Sequence, residues 1–166
     1  MKKVFLVDTN FFIQAHRVTY PLDVVPSFWN KVKQLADSDR IISIDKVKNE
    51  IYGNEDELKE WCQMHLKEEF WHETSSAMEE YSTLANWSVN QKNRYTQNAI
   101  YEFLDSENAD AFLLAYALAD KETRTIVTYE KADKKKSIIK IPEVCSAFNI
   151  SYVDPITMFR ELNETF

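Results

Sequence analysis

The stretch VFLVDTNFF, residues 4–12, decides the fold. Four apolar residues, Val4–Val7, run directly into Asp8. An unbroken apolar run of this length predicts a β-strand that is buried on both faces, as in a parallel sheet covered by helices. The end of such a strand lies at the edge of the sheet where ligands bind in open α/β proteins. Asp8 is therefore the first candidate site residue.

The rest of the chain alternates predicted strands with predicted helices. Further short apolar runs predict strands at residues 40–44, 123–128, 137–141 and 151–154. Asp45 and Asn54 are predicted helix N-caps, and Ser106 or Asn108 is predicted to start the helix ADAFLLAYALA. The alternation predicts an α/β fold with a central, mainly parallel sheet of about five strands. Residues 1–166 are predicted to form a single domain, with an all-helical insert at about 54–104.

The composition excludes several function classes. The chain has a single glycine, Gly53. A dinucleotide-binding fingerprint and a phosphate-binding P-loop both need several glycines, so neither is present. The net charge of −7 weighs against a broad basic face for nucleic acid. It leaves open an enzyme that reaches phosphates through metal ions held by acidic side chains.

The sequence also predicts a cytoplasmic protein without a membrane span. Only four apolar residues separate Lys2 and Lys3 from Asp8, which is too short for the core of a signal peptide. The longest apolar run, residues 111–119, is too short to cross a bilayer. The two cysteines form no CxxC pair, which is typical of a reducing compartment.

Four acidic residues, far apart in sequence, are predicted near one edge of the sheet: Asp8, Glu50, Asp110 and Glu130. Asp8 ends the first strand and Glu130 follows the third, while Glu50 lies about a turn and a half into the helix after the second strand and Asp110 starts the helix before the third. Because these strand ends meet at one edge of a parallel sheet, we expect the four carboxylates to share a cleft. Carboxylates gathered in a partly dry cleft repel one another, and a divalent cation removes that conflict. Mg²⁺ or Mn²⁺, as one or two ions, is the expected cofactor. Asn10 and Thr128 lie beside these acids and are expected to orient a ligand or a water.

This ordered set resembles the PIN domain. The matching segments are VFLVDTNFFI at the start, IDKVKNEIY around Glu50, ENADAFLLAYALA around Asp110 and TIVTYEK around Glu130. The segment KIPEVCSAFNISYVDPITMF resembles the closing strand and helix of that fold. The resemblance covers most of the chain except the helical insert, and it looks closest to a poorly characterised bacterial branch with a longer insert. It implies a three-layer α/β/α architecture.

The resemblance also implies a function. PIN proteins are metal-dependent ribonucleases, and many are toxins of the VapC type. Asp8, Glu50, Asp110 and Glu130 would then hold Mg²⁺ or Mn²⁺, and an activated water would cleave RNA to leave a 5′-phosphate and a 3′-hydroxyl. The implied partners are an RNA substrate and a cognate antitoxin, and a homodimer is a further expectation. The fourth acid of the family is commonly an aspartate, so Asp133 is an alternative to Glu130.

Each of these residues also has a structural interpretation. Asp8 could cap a turn, Asp110 could complement a helix dipole, and Glu50 and Glu130 could be solvated charges. The cluster Lys134, Lys135 and Lys136 is either a solvated loop or a contact to the RNA backbone. In the second case, neutralising all three lysines should flatten the salt dependence of RNA binding.

Two other functions remain open at this stage. The first is a non-catalytic protein-binding module that keeps the fold. The second is a phosphatase or phosphoacceptor that uses Asp8 as its nucleophile. A haloacid-dehalogenase type of site would need a second aspartate two residues after Asp8, where this chain has Asn10.

Overall fold

The computed structural model describes residues 2–166 and is built around a parallel five-stranded sheet. In chain order the strands are β1 (Val4–Val7), β2 (Ile41–Ile44), β3 (Trp71–His72), β4 (Arg124–Val127) and β5 (Tyr152–Val153). Their order across the sheet is β3-β2-β1-β4-β5, and every neighbouring pair is parallel. The predicted α/β fold with a central parallel sheet is confirmed.

Nine α-helices in the described part of the chain flank the sheet in a three-layer α/β/α arrangement. They are α1 (Thr9–Gln14), α2 (Pro26–Asp37), α3 (Asp45–Tyr52), α4 (Glu57–His65), α5 (Met78–Val89), α6 (Gln97–Phe103), α7 (Ala109–Ala119), α8 (Ile141–Phe148) and α9 (Pro155–Leu162). A π-helical turn, Ala15–Thr19, continues α1, and short 3₁₀ helices precede and follow β3. No helix among residues 2–166 is long and apolar enough to span a membrane.

Strand β1 is the middle of the sheet. Val4 pairs with Arg124 and Val7 with Val127 on one side, while Phe5 pairs with Ile41 on the other. Leu6 and Val7 are completely buried. Burying such a side chain contributes about 1.5–3 kcal/mol, so the apolar run that precedes Asp8 is a rigid part of the core.

The predicted all-helical insert is wrong in one respect, because it contains a strand. Trp71 and His72 pair in parallel with Ser43 and Ile44 of β2 and form the edge of the sheet. The strand has only two residues, which is too short to produce a recognisable alternation of polar and apolar positions. The Trp71 ring packs against the buried Phe12 ring at 6.1 Å between centroids.

The prediction of a strand at residues 137–141 is also wrong, because the structure has no strand there. Residues 137–140 form no regular element, and Ile141 is the first residue of α8. The backbone N–H of Ile141 donates to the side chain of Glu130 and not to a neighbouring strand. Ile139 and Ile141 are buried, so their apolar character reflects packing against the core without strand pairing.

The helix starts differ from the predictions at two positions. Asp56, not Asn54, caps α4 by accepting a hydrogen bond from the Lys59 N–H. Asp45 is the first residue of α3 and not its cap, and its carboxylate binds the hydroxyl of Thr74. Asn108 caps α7, which confirms one of the two predicted starts of this helix, Ser106 or Asn108.

Candidate active site

The four predicted acids lie at the carboxyl edge of the sheet and line one cleft of about 450 Å³. Asp8 follows β1, Glu50 is on α3, Asp110 is the second residue of α7, and Glu130 follows β4. Asn10 also lines this acidic cleft, as predicted for an accessory residue. The fold therefore brings together residues that are up to 122 positions apart, from 8 to 130, in the sequence.

Asp8 is fixed at the junction between β1 and α1. It caps α1, and its Oδ1 atom accepts a 2.7 Å hydrogen bond from the Phe11 N–H. Only 3% of the residue is exposed. Burial raises the pKa of Asp8 from 3.8 to about 7, although hydrogen bonds from Thr128 and Phe11 oppose the shift. The nearby carboxylates of Glu130 and Glu50 raise it further.

Asp110 is a second acid of the cleft whose pKa is raised by burial. Its backbone N–H donates to the capping side chain of Asn108, which sets the start of α7. Burial raises the pKa of Asp110 well above its usual value, and Glu130, Asp8 and Glu50 add to the effect. No hydrogen bond acts in the opposite direction. A cation beside Asp110 would favour the ionised form of its carboxyl group.

Glu50 and Glu130 are each anchored by the N-terminus of a helix. Glu50 Oε1 accepts a 2.7 Å hydrogen bond from the Ala109 N–H at the start of α7. Glu130 Oε2 accepts a 2.8 Å hydrogen bond from the Ile141 N–H at the start of α8. Burial raises the pKa of Glu130, while the Ile141 N–H and the Lys140 ammonium lower it. One carboxylate oxygen of each residue is held in this way.

Thr128 lies behind the cleft and connects two of the acids. Its hydroxyl forms a hydrogen bond with the Asp8 side chain and accepts a 3.1 Å hydrogen bond from the Glu130 N–H. Thr128 is 1% exposed and does not line the cleft. Its position suits a residue that orients the acids from outside the acidic cleft.

The structure distinguishes Glu130 from Asp133. Asp133 does not line the cleft, and its carboxylate pairs with Lys140 at 2.6 Å. This pairing lowers the pKa of Asp133. Glu130 is thus the acid at the sheet edge, despite its longer side chain.

The predicted RNA-contact lysines lie outside the cleft. Lys134, Lys135 and Lys136 are exposed in the segment between β4 and α8, and none of them lines the acidic cleft. Their role as a contact to the RNA backbone stays a prediction.

Three more carboxylates line the acidic cleft: Glu102, Asp105 and Glu107. They come from α6 and the segment that leads into α7. From the sequence, Glu107 is either a structural cap or an accessory to the cleft, because it lies three residues before Asp110, whereas Glu102 and Asp105 were missed. The segment YEFLDSENAD, residues 101–110, contains four acids and ends at Asp110, and this density could have indicated them. No lysine, arginine or histidine lines this cleft, so its seven carboxylates have no cationic neighbour along the walls.

The residues present fit a hard divalent cation in their chemistry. Every charged side chain in the cleft is a carboxylate, the ligand type that Mg²⁺ and Mn²⁺ prefer. In the described residues, however, no three acidic, histidine or cysteine side chains are already drawn together as a ready ligand set.

Fold and cleft together define an α/β protein with a carboxylate-lined site at the carboxyl edge of a parallel sheet. The chain belongs to the family described as a domain of unknown function, DUF4411, whose model matches residues 5–166. No curated protein and no solved structure matches the chain.

Proposed function

We propose that the protein is a Mg²⁺- or Mn²⁺-dependent ribonuclease of the PIN-like type. The observation that carries the proposal is the convergence of Asp8, Glu50, Asp110 and Glu130 on one cleft. Burial and mutual repulsion raise the pKa of Asp8 and of Asp110, which is the electrostatic signature of carboxylates arranged for a cation.

The chain's own residues have separate parts in this proposal. A bound divalent cation would supply Lewis acidity toward a phosphodiester and toward the attacking water. Asp8 and Asp110 are rigid acceptors for it, because one ends a buried strand and the other begins a buried helix. Thr128 holds Asp8 and Glu130 in fixed positions relative to each other, through its hydrogen bonds to both residues. Glu50 and Glu130 each have one oxygen that is not held by a helix N-terminus.

The proposed partners follow from the same cleft. Seven carboxylates in a cleft that no basic side chain lines suit a basic segment of an inhibitory protein as well as metal ions. We therefore include in the proposal that the protein is the toxin of a toxin–antitoxin pair, as the resemblance implies. Growth arrest on expression of the chain alone, relieved by co-expression of a partner encoded nearby, is the expected result. Unimpaired growth would remove this part of the proposal.

The first experiment is RNA cleavage by the purified protein with Mn²⁺, with Mg²⁺ and with chelator. Asp8→Asn is the test variant, because asparagine can still accept the hydrogen bond from the Phe11 N–H. Asp133→Asn is the matched control, since it removes an acid that lies outside the cleft. We expect metal-dependent cleavage that disappears in Asp8→Asn and persists in Asp133→Asn.

The other outcomes assign the remaining functions. Equal cleavage by the wild type and Asp8→Asn would indicate a contaminant and contradict the proposal. Binding of Mn²⁺ in calorimetry without cleavage of any RNA would favour a non-catalytic binding module. Trapping by beryllium fluoride at Asp8 would favour the phosphoacceptor.

A further inference from the structure

Two segments that are far apart in sequence line the acidic cleft beside the acids of the sheet edge. Ala99, Glu102 and Phe103 lie on α6, at the end of the helical insert. Ile138 and Ile139 lie in the segment between β4 and α8. The contacts that join these two segments therefore bear on the shape of the cleft.

The two segments are joined directly at Thr96. Its hydroxyl caps α6 by accepting a 3.2 Å hydrogen bond from the Ala99 N–H. Its backbone N–H donates to the carbonyl oxygen of Lys136 at 2.9 Å. One residue thus fixes the start of the helix that carries Glu102 and links that helix to the segment that leads to Ile138.

An ion pair braces this junction two residues earlier in the insert. The Arg94 guanidinium donates to Glu143 Oε2 at 3.0 Å. Glu143 Oε1 accepts a 2.8 Å hydrogen bond from the backbone N–H of Asp133, so both oxygens of this carboxylate are engaged. The guanidinium also lies 5.3 Å from the centre of the buried Tyr95 ring, within the range of a cation–π contact. An isolated surface ion pair holds little, whereas the Glu143 side chain is only 15% exposed and also binds the backbone.

The brace leads to Glu130 through the first turn of α8. Glu143 is the third residue of α8, and the first residue, Ile141, donates its backbone N–H to Glu130 Oε2 at 2.8 Å. A contact that fixes Glu143 therefore also fixes the N–H that holds Glu130. Arg94 itself does not line the acidic cleft, so its influence on the acids passes through α8.

We propose that Arg94 is a positioning residue of the acidic cleft, which acts through Glu143 and the first turn of α8 to hold Glu130 in place for a divalent cation. The inference rests on the proposed metal-dependent function. It deepens that function by giving the helical insert a role, since the insert supplies the contact that keeps the fourth acid in place. Loss of Arg94 lets the first turn of α8 shift, and the Glu130 carboxylate shifts with it.

The test combines residue-resolved amide hydrogen exchange with calorimetric binding of Mn²⁺, both on the full chain. Arg94→Gln is the test variant, and Arg94→Lys is the conservative variant that restores the charge. Lys92→Gln is the matched control, because Lys92 is exposed on the same segment and Glu143 pairs with Arg94. Exchange is followed at the Thr96 and Ile141 amides.

We expect Arg94→Gln to speed exchange at Thr96 and Ile141 by about threefold or more and to leave exchange at Leu6, in the middle of the sheet, unchanged. Its affinity for Mn²⁺ should fall about three- to tenfold, which is less than the 10- to 100-fold loss typical of a residue that touches a metal ligand directly. Arg94→Lys should recover most of the affinity, and Lys92→Gln should match the wild type.

The sign of the change in Mn²⁺ affinity separates positioning from charge. Removal of a positive charge would by itself strengthen the binding of a cation. A weaker affinity in Arg94→Gln therefore has the sign of a displaced carboxylate, and an unchanged or stronger affinity would overturn the proposal.

A second variant tests the route through Glu143. Glu143→Gln removes the same ion pair from the other side, while glutamine can still accept the hydrogen bond from the Asp133 N–H. Exchange at Ile141 should rise as it does in Arg94→Gln, and the double variant should add nothing further, because both changes break one interaction. Additive effects would show that Arg94 acts by another route and would contradict the proposal.

The failures of the two proposals are distinguishable. If the wild type binds Mn²⁺ and Arg94→Gln binds it equally well, the role of Arg94 is wrong and the metal site stands. If the variants behave as expected but the wild type cleaves no RNA, the positioning role stands and the ribonuclease falls. If the wild type binds no Mn²⁺, the metal site and the positioning role fall together.

Discussion

The carboxylate of Glu50 accepts a 2.7 Å hydrogen bond from the backbone N–H of Ala109, the residue that precedes Asp110. One acid of the cleft therefore fixes the start of the helix that carries another. Ala109 is 1% exposed, and the Glu50 side chain supplies the acceptor for its N–H.

Glu50→Ala should therefore destabilise the protein more than Glu50→Gln does. Alanine leaves the buried Ala109 N–H without an acceptor, whereas glutamine keeps an oxygen there and removes only the charge. The cost of an unsatisfied buried group predicts a difference of about 1–3 kcal/mol in the free energy of unfolding. Urea denaturation of both variants in chelator measures it, and equal stabilities would contradict the role assigned to this hydrogen bond.

Asp8→Asn should stabilise the metal-free protein at neutral and alkaline pH. The pKa of Asp8 is raised to about 7 in the folded state from 3.8, so the folded protein binds more protons than the unfolded chain between these values. Stability of the wild type therefore falls as pH rises from about 4 to about 7. Asparagine cannot ionise and avoids this loss.

The predicted gain for Asp8→Asn is small near pH 4 and reaches about 4 kcal/mol as an upper value at pH 8. Thermal unfolding in chelator across this pH range is the measurement. If the wild type instead gains stability relative to Asp8→Asn between pH 4 and pH 7, the pKa of Asp8 is not raised in the folded state.

Thr128→Val should weaken both the fold and the metal site. The change removes the hydroxyl that binds the Asp8 side chain and the Glu130 N–H, while it keeps the size and the β-branching of the side chain. Loss of an orienting partner predicts a 10- to 100-fold lower affinity for Mn²⁺. Thr128→Ser, which keeps the hydroxyl, is the control, and calorimetric titration of both variants separates the effects of hydroxyl and shape.

Mn²⁺ should stabilise the wild type by about 2.7 kcal/mol at a free concentration of 100 Kd. The ion offsets the cost of burying the Asp110 carboxylate and its repulsion by the neighbouring acids, which together raise the pKa of Asp110. Asp110→Asn should abolish this stabilisation, and replacement of the exposed Asp23 by asparagine should leave it intact. An equal Mn²⁺ effect in both variants would place the ion elsewhere in the molecule.

The parts of the fold that sequence reasoning predicted are those in which burial and hydrogen bonding coincide. β1 is apolar because both of its faces are covered, and it pairs on both sides. At residues 137–141 the two properties separate, since Ile139 and Ile141 are buried without strand pairing. An apolar pattern reports burial, so it predicted a strand where the chain makes none.

The sequence likewise predicted only part of the candidate site. Asp8 and Glu130 follow central strands, so the topology of a parallel sheet predicts that they lie at one edge. Glu102 and Asp105 could not be placed by that rule. They belong to α6 and the segment after it, whose position over the sheet edge depends on tertiary packing. Likewise, β3 depends on its pairing with β2 and has little local signal of its own.

The register between β1 and β4 has a consequence for how the protein is made. Val4 pairs with Arg124, so the middle of the sheet joins segments that leave the ribosome far apart in time. Pairing of such distant segments slows folding, because the loop between them must close first. Until β4 has emerged from the ribosome and paired with β1, Glu130 cannot lie beside Asp8. A nascent chain therefore lacks the assembled acidic cleft through most of its synthesis, and the apolar β1 segment is exposed to other chains during that time.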